Sequence, residues 1–185
     1  MLPIVFDVSA GTTVLVGEGE LVLRRLQLLD AAGAVVRVYC SAPSKELTAL
    51  AGQRLVGAQP DDADLKAAGL VFGAGLPDAE GEDLASRARS MGVLVNIEDV
   101  KPLCDFHVPS MVRRGDLTMT ISTGGKSPGL ARRLRRHLEV LFGPEWSGRL
   151  DQIGEMRQAW RAEGLPLDDV SRRTDSFIDQ QGWLS

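Results

Sequence analysis

The stretch that most constrains the fold lies at residues 12–29. There Thr12-Thr13-Val14-Leu15-Val16 ends at Gly17-Glu18-Gly19, and an apolar-periodic segment with Leu21, Val22, Leu26 and Leu29 follows at once. A β-branched run that turns on two glycines directly into a helical pattern is the strand, tight turn and helix of a nucleotide-binding βαβ unit. Gly33 stands where a helix C′ residue belongs, and residues 34–39 resume the β pattern, which completes the unit. In a dinucleotide site Gly17 would make the sharp turn, Gly19 would let the backbone approach the pyrophosphate, and a small residue three positions on would let the helix pack. Here Val22 holds that third position, and Glu18 adds a negative charge close to where phosphate would lie. The acid expected at the end of the second strand, to bind the adenine ribose, is missing, since Tyr39, Cys40 and Ser41 stand there. The residues alone leave two readings open, a dinucleotide site or an ordinary strand-to-helix turn.

The rest of the chain builds on this unit. Residues 1–8 read as a short segment covering a sheet edge, because Pro3 discourages a central strand. Residues 45–50 form a short helix started near Ser44, Leu55-Val56 is an apolar pair, and the acidic turn at residues 61–64 can start another helix. Residues 69–74 are a buried strand, residues 82–91 a helix stopped by Gly92, and residues 93–97 the next buried strand. Strands that alternate with helices and are apolar on both faces predict an α/β fold with a parallel sheet covered on each side. The pattern then changes to two strands, 106–112 and 117–122, joined at Arg114-Gly115-Asp116. A helix follows with Ser127 as N-cap and Pro128 at N1, its apolar positions Leu130, Leu134, Leu138, Leu141 and Phe142 at helical spacing. Further helices are expected over residues 145–163 and 167–185.

With 185 residues, 44% of them hydrophobic, the chain can bury a real core as one main domain with an appendage. No basic, apolar leader and no apolar run of membrane-spanning length is visible, so a cytoplasmic protein with no membrane partner is expected. Cys40 and Cys104 form no CxxC pair and read as core or site-lining residues rather than a disulfide or zinc site. Of the 21 cations only Lys45, Lys66, Lys101 and Lys126 are lysine, and arginine suits bidentate carboxylate or phosphate binding.

Three further stretches can carry chemistry. Asn96-Ile97-Glu98-Asp99 lies just past a buried strand, where open α/β sheets place their ligand crevice; a carboxylate there can take a proton, with Asp99, Glu98 and Asp105 as rivals. Thr123-Gly124-Gly125-Lys126-Ser127 lacks the earlier glycine of a P-loop and is either an anion site using Thr123, Lys126 and Ser127 or simply a helix cap. Arg132, Arg133, Arg135 and Arg136 follow on the helix, with Arg113 and Arg114 in the preceding hairpin. They mark a solvated face or a polycarboxylate site. Nucleic acid is disfavoured, since no basic recognition helix is visible. His107 and His137 make no metal motif with the cysteines, and His107 is close enough in sequence to Asp99 and Asp105 to line a site.

Four stretches in this order carry a resemblance: Leu2-Pro3-Ile4 leading to Val14-Leu15-Val16-Gly17-Glu18-Gly19; Leu28-Leu29-Asp30-Ala31-Ala32-Gly33-Ala34; Asn96-Ile97-Glu98-Asp99 with Phe106-His107-Val108-Pro109-Ser110; and Ile121-Ser122-Thr123-Gly124-Gly125-Lys126-Ser127-Pro128-Gly129-Leu130-Ala131-Arg132. They resemble the precorrin-2 dehydrogenase and sirohydrochlorin ferrochelatase family, also found as the N-terminal module of siroheme synthases. The resemblance implies a Rossmann domain binding NAD over residues 1–105, an α+β dimerisation region over 106–145 and a helical C-terminal domain over 146–185. It implies oxidation of precorrin-2 to sirohydrochlorin, with Fe²⁺ or Co²⁺ as a further substrate in members that insert metal, and a homodimer. Asp99 falls on the family's Asn-x-x-Asp motif as general base. The cofactor is expected along Gly17, Glu18, Gly19, Glu20, Leu21, Cys40, Ser41, Ala74, Gly75 and Asn96. The tetrapyrrole is expected along His107, Thr123, Gly124, Lys126, Ser127 and Arg132. No resident metal is expected. Gly75-Leu76-Pro77 replaces the family's usual Thr-Asp or Thr-Asn pair, and Gly81 its usual asparagine, so two further readings stand: a chelatase or tetrapyrrole binder without the redox step, or a non-enzymatic dimeric nucleotide sensor.

Overall fold

The computed structural model describes residues 2–184, which fall into two compact units dividing between Val108 and Pro109. The first unit runs β1 (Thr12–Gly17), α1 (Gly19–Ala31), β2 (Val35–Tyr39), α2 (Lys45–Ala51), β3 (Leu55–Gly57), α3 (Asp62–Lys66), β4 (Ala68–Ala74), α4 (Asp78–Ser90) and β5 (Leu94–Ile97). Its five strands are all parallel in the order β3-β2-β1-β4-β5. The chain winds outward from β1 through β2 to β3, then returns to β4 on the other side of β1. The β1/β4 boundary is therefore the topological switch point, where sheets of this kind open a crevice at the carboxyl ends of their strands. This is the doubly wound α/β sheet that the alternating pattern predicts.

Alternation along β1 explains why the sheet is covered on both sides. Val14 and Val16 join one core cluster with Leu65, Leu84, Ala85 and Ala88 from α3 and α4; Leu15 joins the other with Val22, Leu26, Leu29 and Leu47 from α1 and α2. All three strand residues are essentially inaccessible to solvent, and each such burial contributes roughly 1.5–3 kcal/mol. Local signals set the helix starts. The Ser44 hydroxyl accepts from the Leu47 amide at 3.1 Å, and Asp61 and Asp64 form a reciprocal capping box at α3.

Two elements of the first unit depart from expectation. Residues 2–6 form no strand and cover no sheet edge: Leu2, Ile4 and Val5 are well exposed. The short turn Val8–Ala10 instead lies against β1 and β4, the central strands. Helix α4 begins at Asp78 rather than residue 82, with Asp78 and Glu80 in its first turn, where carboxylates suit the helix dipole.

The second unit contains an antiparallel hairpin, β6 (Ser110–Arg114) and β7 (Leu117–Ile121), followed by α5 (Pro128–Leu141), α6 (Trp146–Ala162) and α7 (Leu167–Gln181). The strand expected over 106–112 begins only at Ser110, because Phe106 and Val108 pack on the core of the first unit. Ser127 caps α5 as its pattern predicts, its hydroxyl accepting from the Leu130 amide at 3.2 Å. Arg114 closes the other end, donating to the carbonyls of Phe142 at 2.8 Å and Glu139 at 3.3 Å. An aromatic chain of Phe142, Trp146, Trp183 and Phe177 joins the helices, with the Arg149 guanidinium 5.0 Å and 5.2 Å from the two tryptophan ring centroids.

Candidate active site

At the switch point the β1–α1 and β4–α4 turns meet backbone on backbone. The Glu18 amide donates to the Ala74 carbonyl at 3.0 Å. A Cβ on Gly17 would collide with that same carbonyl oxygen and lie 3.1 Å from the Val22 Cβ; one on Gly75 would come within 2.5 Å of the Glu18 carbonyl oxygen. The positive φ belongs to Gly19, at 66°, and a Cβ there would enter open space. The sharp turn expected of Gly17 therefore falls to Gly19, which also leaves open space above the backbone, while Gly17 permits the close packing of the two turns. Above Gly19 the first-turn amides of α1, including those of Glu20 and Leu21, carry no side-chain cap, since Glu18 at the N-cap makes no such bond. An open glycine and uncapped amides at a switch point fit a dinucleotide pyrophosphate.

Glu18 does not lie over that helix start. Its carboxylate accepts a hydrogen bond from the Ser41 hydroxyl, just beyond β2. Cys40, the residue before Ser41, is buried; burial, with a smaller contribution from the Glu18 charge, pushes its thiol pKa up. Tyr39 ends β2 with a buried hydroxyl that lacks a partner at full hydrogen-bond geometry and faces the Asp64 carboxylate. Burial and Asp64 push the phenol up to about 12. Arg37 pairs with Asp64 at 2.5 Å and lies over the Tyr39 ring.

Past β5 the three rival carboxylates separate cleanly. Asp105 is held in place, accepting from the Arg89 Nε at 2.9 Å and the Val95 amide at 3.0 Å. Glu98 pairs with Arg25 of α1 at 3.2 Å, while Arg25 stacks on Phe72 and the second Glu98 oxygen, Oε2, is buried without a hydrogen-bond partner. Asp99 is exposed, has no hydrogen bond or ion pair, and is the one non-glycine with positive φ among the described residues, at 63°. Holding an aspartate in the left-handed region costs of order 1 kcal/mol, and such strain concentrates at functional sites. Asn96 is buried, and its amide donates to the Phe106 carbonyl at 2.8 Å, so that group anchors the following segment. The Cys104 thiol is likewise turned inward to the Ile97 and Val100 carbonyls, and His107 is exposed. The involvement of Arg25 was not visible in the sequence, where nothing local marks it.

In the second unit the glycine loop largely satisfies itself. The Thr123 hydroxyl accepts from the Ser127 amide at 3.2 Å and donates to the Ser127 carbonyl at 3.1 Å. Gly124 and Gly125 both carry positive φ, and Lys126 is exposed. Arg132, Arg133 and Arg136 are exposed on α5, whereas Arg135 pairs with Glu139 at 2.5 Å. Among the described residues no group of three His, Cys, Asp or Glu is placed to hold a metal ion, and no helix is long and apolar enough to cross a membrane.

Residues 4–110 match a family model described as NAD(P)-binding. The chain belongs to that NAD(P)-binding family. Further along this NAD(P)-binding protein, residues 114–141 match the central segment of sirohaem biosynthesis proteins. It is 36% identical to a siroheme synthase of Nitrosococcus oceani over 155 residues, 82% of this chain and 33% of that protein. It is 33% identical to a siroheme synthase of Pseudomonas fluorescens over 181 residues, 96% of this chain and 38% of that one. The chain spans about a third of the length of the curated relatives it matches. The solved structure of SirC, precorrin-2 dehydrogenase, shares the fold at a TM-score of 0.80, with 21% identity over 100% of this chain and 93% of that one.

Proposed function

We propose that this NAD(P)-binding protein uses NAD⁺ to oxidise precorrin-2 to sirohydrochlorin in siroheme biosynthesis. The observation that carries the reading is the pairing of an open glycine turn at the β1/β4 switch point with an unengaged, strained carboxylate, Asp99, past the adjacent strand end. Similarity to siroheme synthases and to the fold of a precorrin-2 dehydrogenase supports the substrate class.

A nicotinamide bound here would supply the acceptor for a hydride from the macrocycle. The uncapped start of α1 would hold the pyrophosphate, beside the two turns that Gly17 and Gly75 allow to meet backbone on backbone. Loss of a hydride leaves a proton to be removed, and the Asp99 carboxylate takes it and passes it to solvent, to which it is exposed. The same carboxylate serves a second activity, insertion of Fe²⁺ or Co²⁺ as substrate, because metal insertion expels two pyrrole protons.

Residues 1–105 are assigned to cofactor binding, 106–145 to dimerisation and 146–185 to a helical C-terminal domain, in a cytoplasmic homodimer. Supporting the dimer, Leu130, Leu134 and Leu141 of α5 are 50%, 40% and 57% exposed on one amphipathic helix, so a second copy is the occupant expected there. Leu134→Glu should convert a dimer to a monomer in light scattering; a wild-type monomer would reject the assignment. The function is tested by titrating the full chain with NAD⁺. Saturable binding is expected, and its absence at millimolar concentration together with intact Fe²⁺ or Co²⁺ insertion would leave only the chelatase.

A further inference from the structure

We infer that Glu18, held by Ser41, reads the adenosine ribose and rejects a 2′-phosphate, making this protein selective for NAD over NADP. The inference rests on the cofactor reading above and adds to it the residue that sets the choice. Dinucleotide sites on such sheets ordinarily place an acid at the end of the second strand, where it accepts a hydrogen bond from the ribose 2′-hydroxyl. Residues 37–44 contain no acid at all. The structure nevertheless delivers one to that place by another route. Glu18 sits in an extended N-cap conformation, with φ −138° and ψ 163°, and makes no cap bond to the helix it precedes. Its carboxylate reaches across from the β1 turn to the Ser41 hydroxyl at the exit of β2.

Three features favour a ligand-reading role for this placement. The Ser41 hydroxyl engages one carboxylate oxygen, Oε1, leaving Oε2 as an acceptor for a ribose hydroxyl. The negative charge is displaced from the helix start, so it does not oppose the pyrophosphate there. Of the cations near the end of β2 in sequence, Arg37 is paired with Asp64, and Lys45, exposed at the start of α2, is the one left to meet a 2′-phosphate. A carboxylate facing a phosphate dianion is the repulsive element that specificity requires.

The test is isothermal titration of the full chain with NAD⁺ and with NADP⁺, in wild type, Glu18→Gln and Glu18→Gln/Lys45→Ala, with thermal melts showing that each variant is folded. Wild type is expected to bind NAD⁺ at least tenfold more tightly than NADP⁺. Glu18→Gln keeps an acceptor oxygen and removes the charge, so the ratio should fall about tenfold, chiefly through a gain for NADP⁺ that Lys45→Ala reverses. An unchanged ratio in Glu18→Gln, or a wild-type preference for NADP⁺, overturns the inference while leaving dinucleotide binding intact. Binding of neither nucleotide overturns it together with the reading on which it rests.

Discussion

Gly17 and Gly19 stand two residues apart, yet replacing each by alanine should fail for a different reason and by a different amount. At Gly17 the new methyl has no free direction: the Ala74 carbonyl blocks it on one side and the Val22 Cβ, 3.1 Å away, on the other. Both obstacles are backbone or backbone-attached, so relief requires β1 and β4 to part locally, which breaks the 3.0 Å bond from the Glu18 amide to Ala74. Overpacking of this kind costs roughly 1–3 kcal/mol and the lost hydrogen bond about 1 kcal/mol more, giving roughly 2–4 kcal/mol in all. At Gly19 a methyl meets nothing within 4 Å, and the cost is only the left-handed φ of 66°, about 1–2 kcal/mol. Urea denaturation of the two variants, followed by far-ultraviolet circular dichroism, measures the difference directly. Gly17→Ala should be the less stable of the pair, whereas Gly19→Ala should weaken NAD⁺ binding more than its stability loss accounts for, because its methyl enters the space assigned to cofactor. If Gly17→Ala is as stable as wild type, the close approach of the two turns is wrong.

Two further perturbations test other parts of the account. Tyr39 has its phenol raised from the usual 10 to about 12, so the neutral form is favoured in the folded state; that contribution is complete below pH 10 and is lost as the pH rises through 12. Wild type should therefore lose roughly 2–3 kcal/mol relative to Tyr39→Phe across that window in pH-dependent urea melts, and parallel curves would refute the burial argument. Arg114→Ala removes three donor contacts to the carbonyls of Arg113, Glu139 and Phe142. It should destabilise the second unit by roughly 1–3 kcal/mol, visible as earlier loss of tryptophan fluorescence, since all three tryptophans lie there; an unshifted transition would deny the cap.

Local chemistry made much of this fold readable. The strand-turn-helix at residues 12–29, the Ser127 cap and the alternation of buried strands are short-range patterns, and each forms where its residues predict. Strand β3 went unrecognised because three residues carry no periodicity, and its place beside β2 is fixed by pairing with a distant segment. The site divides the same way. The position of Asp99 past β5 was visible, but its freedom depends on what engages its rivals: Arg89 holds Asp105 and Arg25 holds Glu98 through contacts far apart in sequence. The meeting of Glu18 with Ser41 is likewise long-range. From sequence Glu18 looked like a charge misplaced beside a phosphate; the fold turns it toward β2.

The central claim is that a nicotinamide-binding sheet and the Asp99 carboxylate act together on one substrate. Anaerobic incubation of the full chain with precorrin-2 and NAD⁺, following NADH and sirohydrochlorin in the same sample, tests it most directly. The account predicts equimolar formation of the two, strict dependence on NAD⁺, and a rate in Asp99→Ala lowered by about 10²-fold or more with NAD⁺ affinity unchanged. Undiminished turnover in Asp99→Ala, or NAD⁺ binding by the wild type without any sirohydrochlorin, would contradict it.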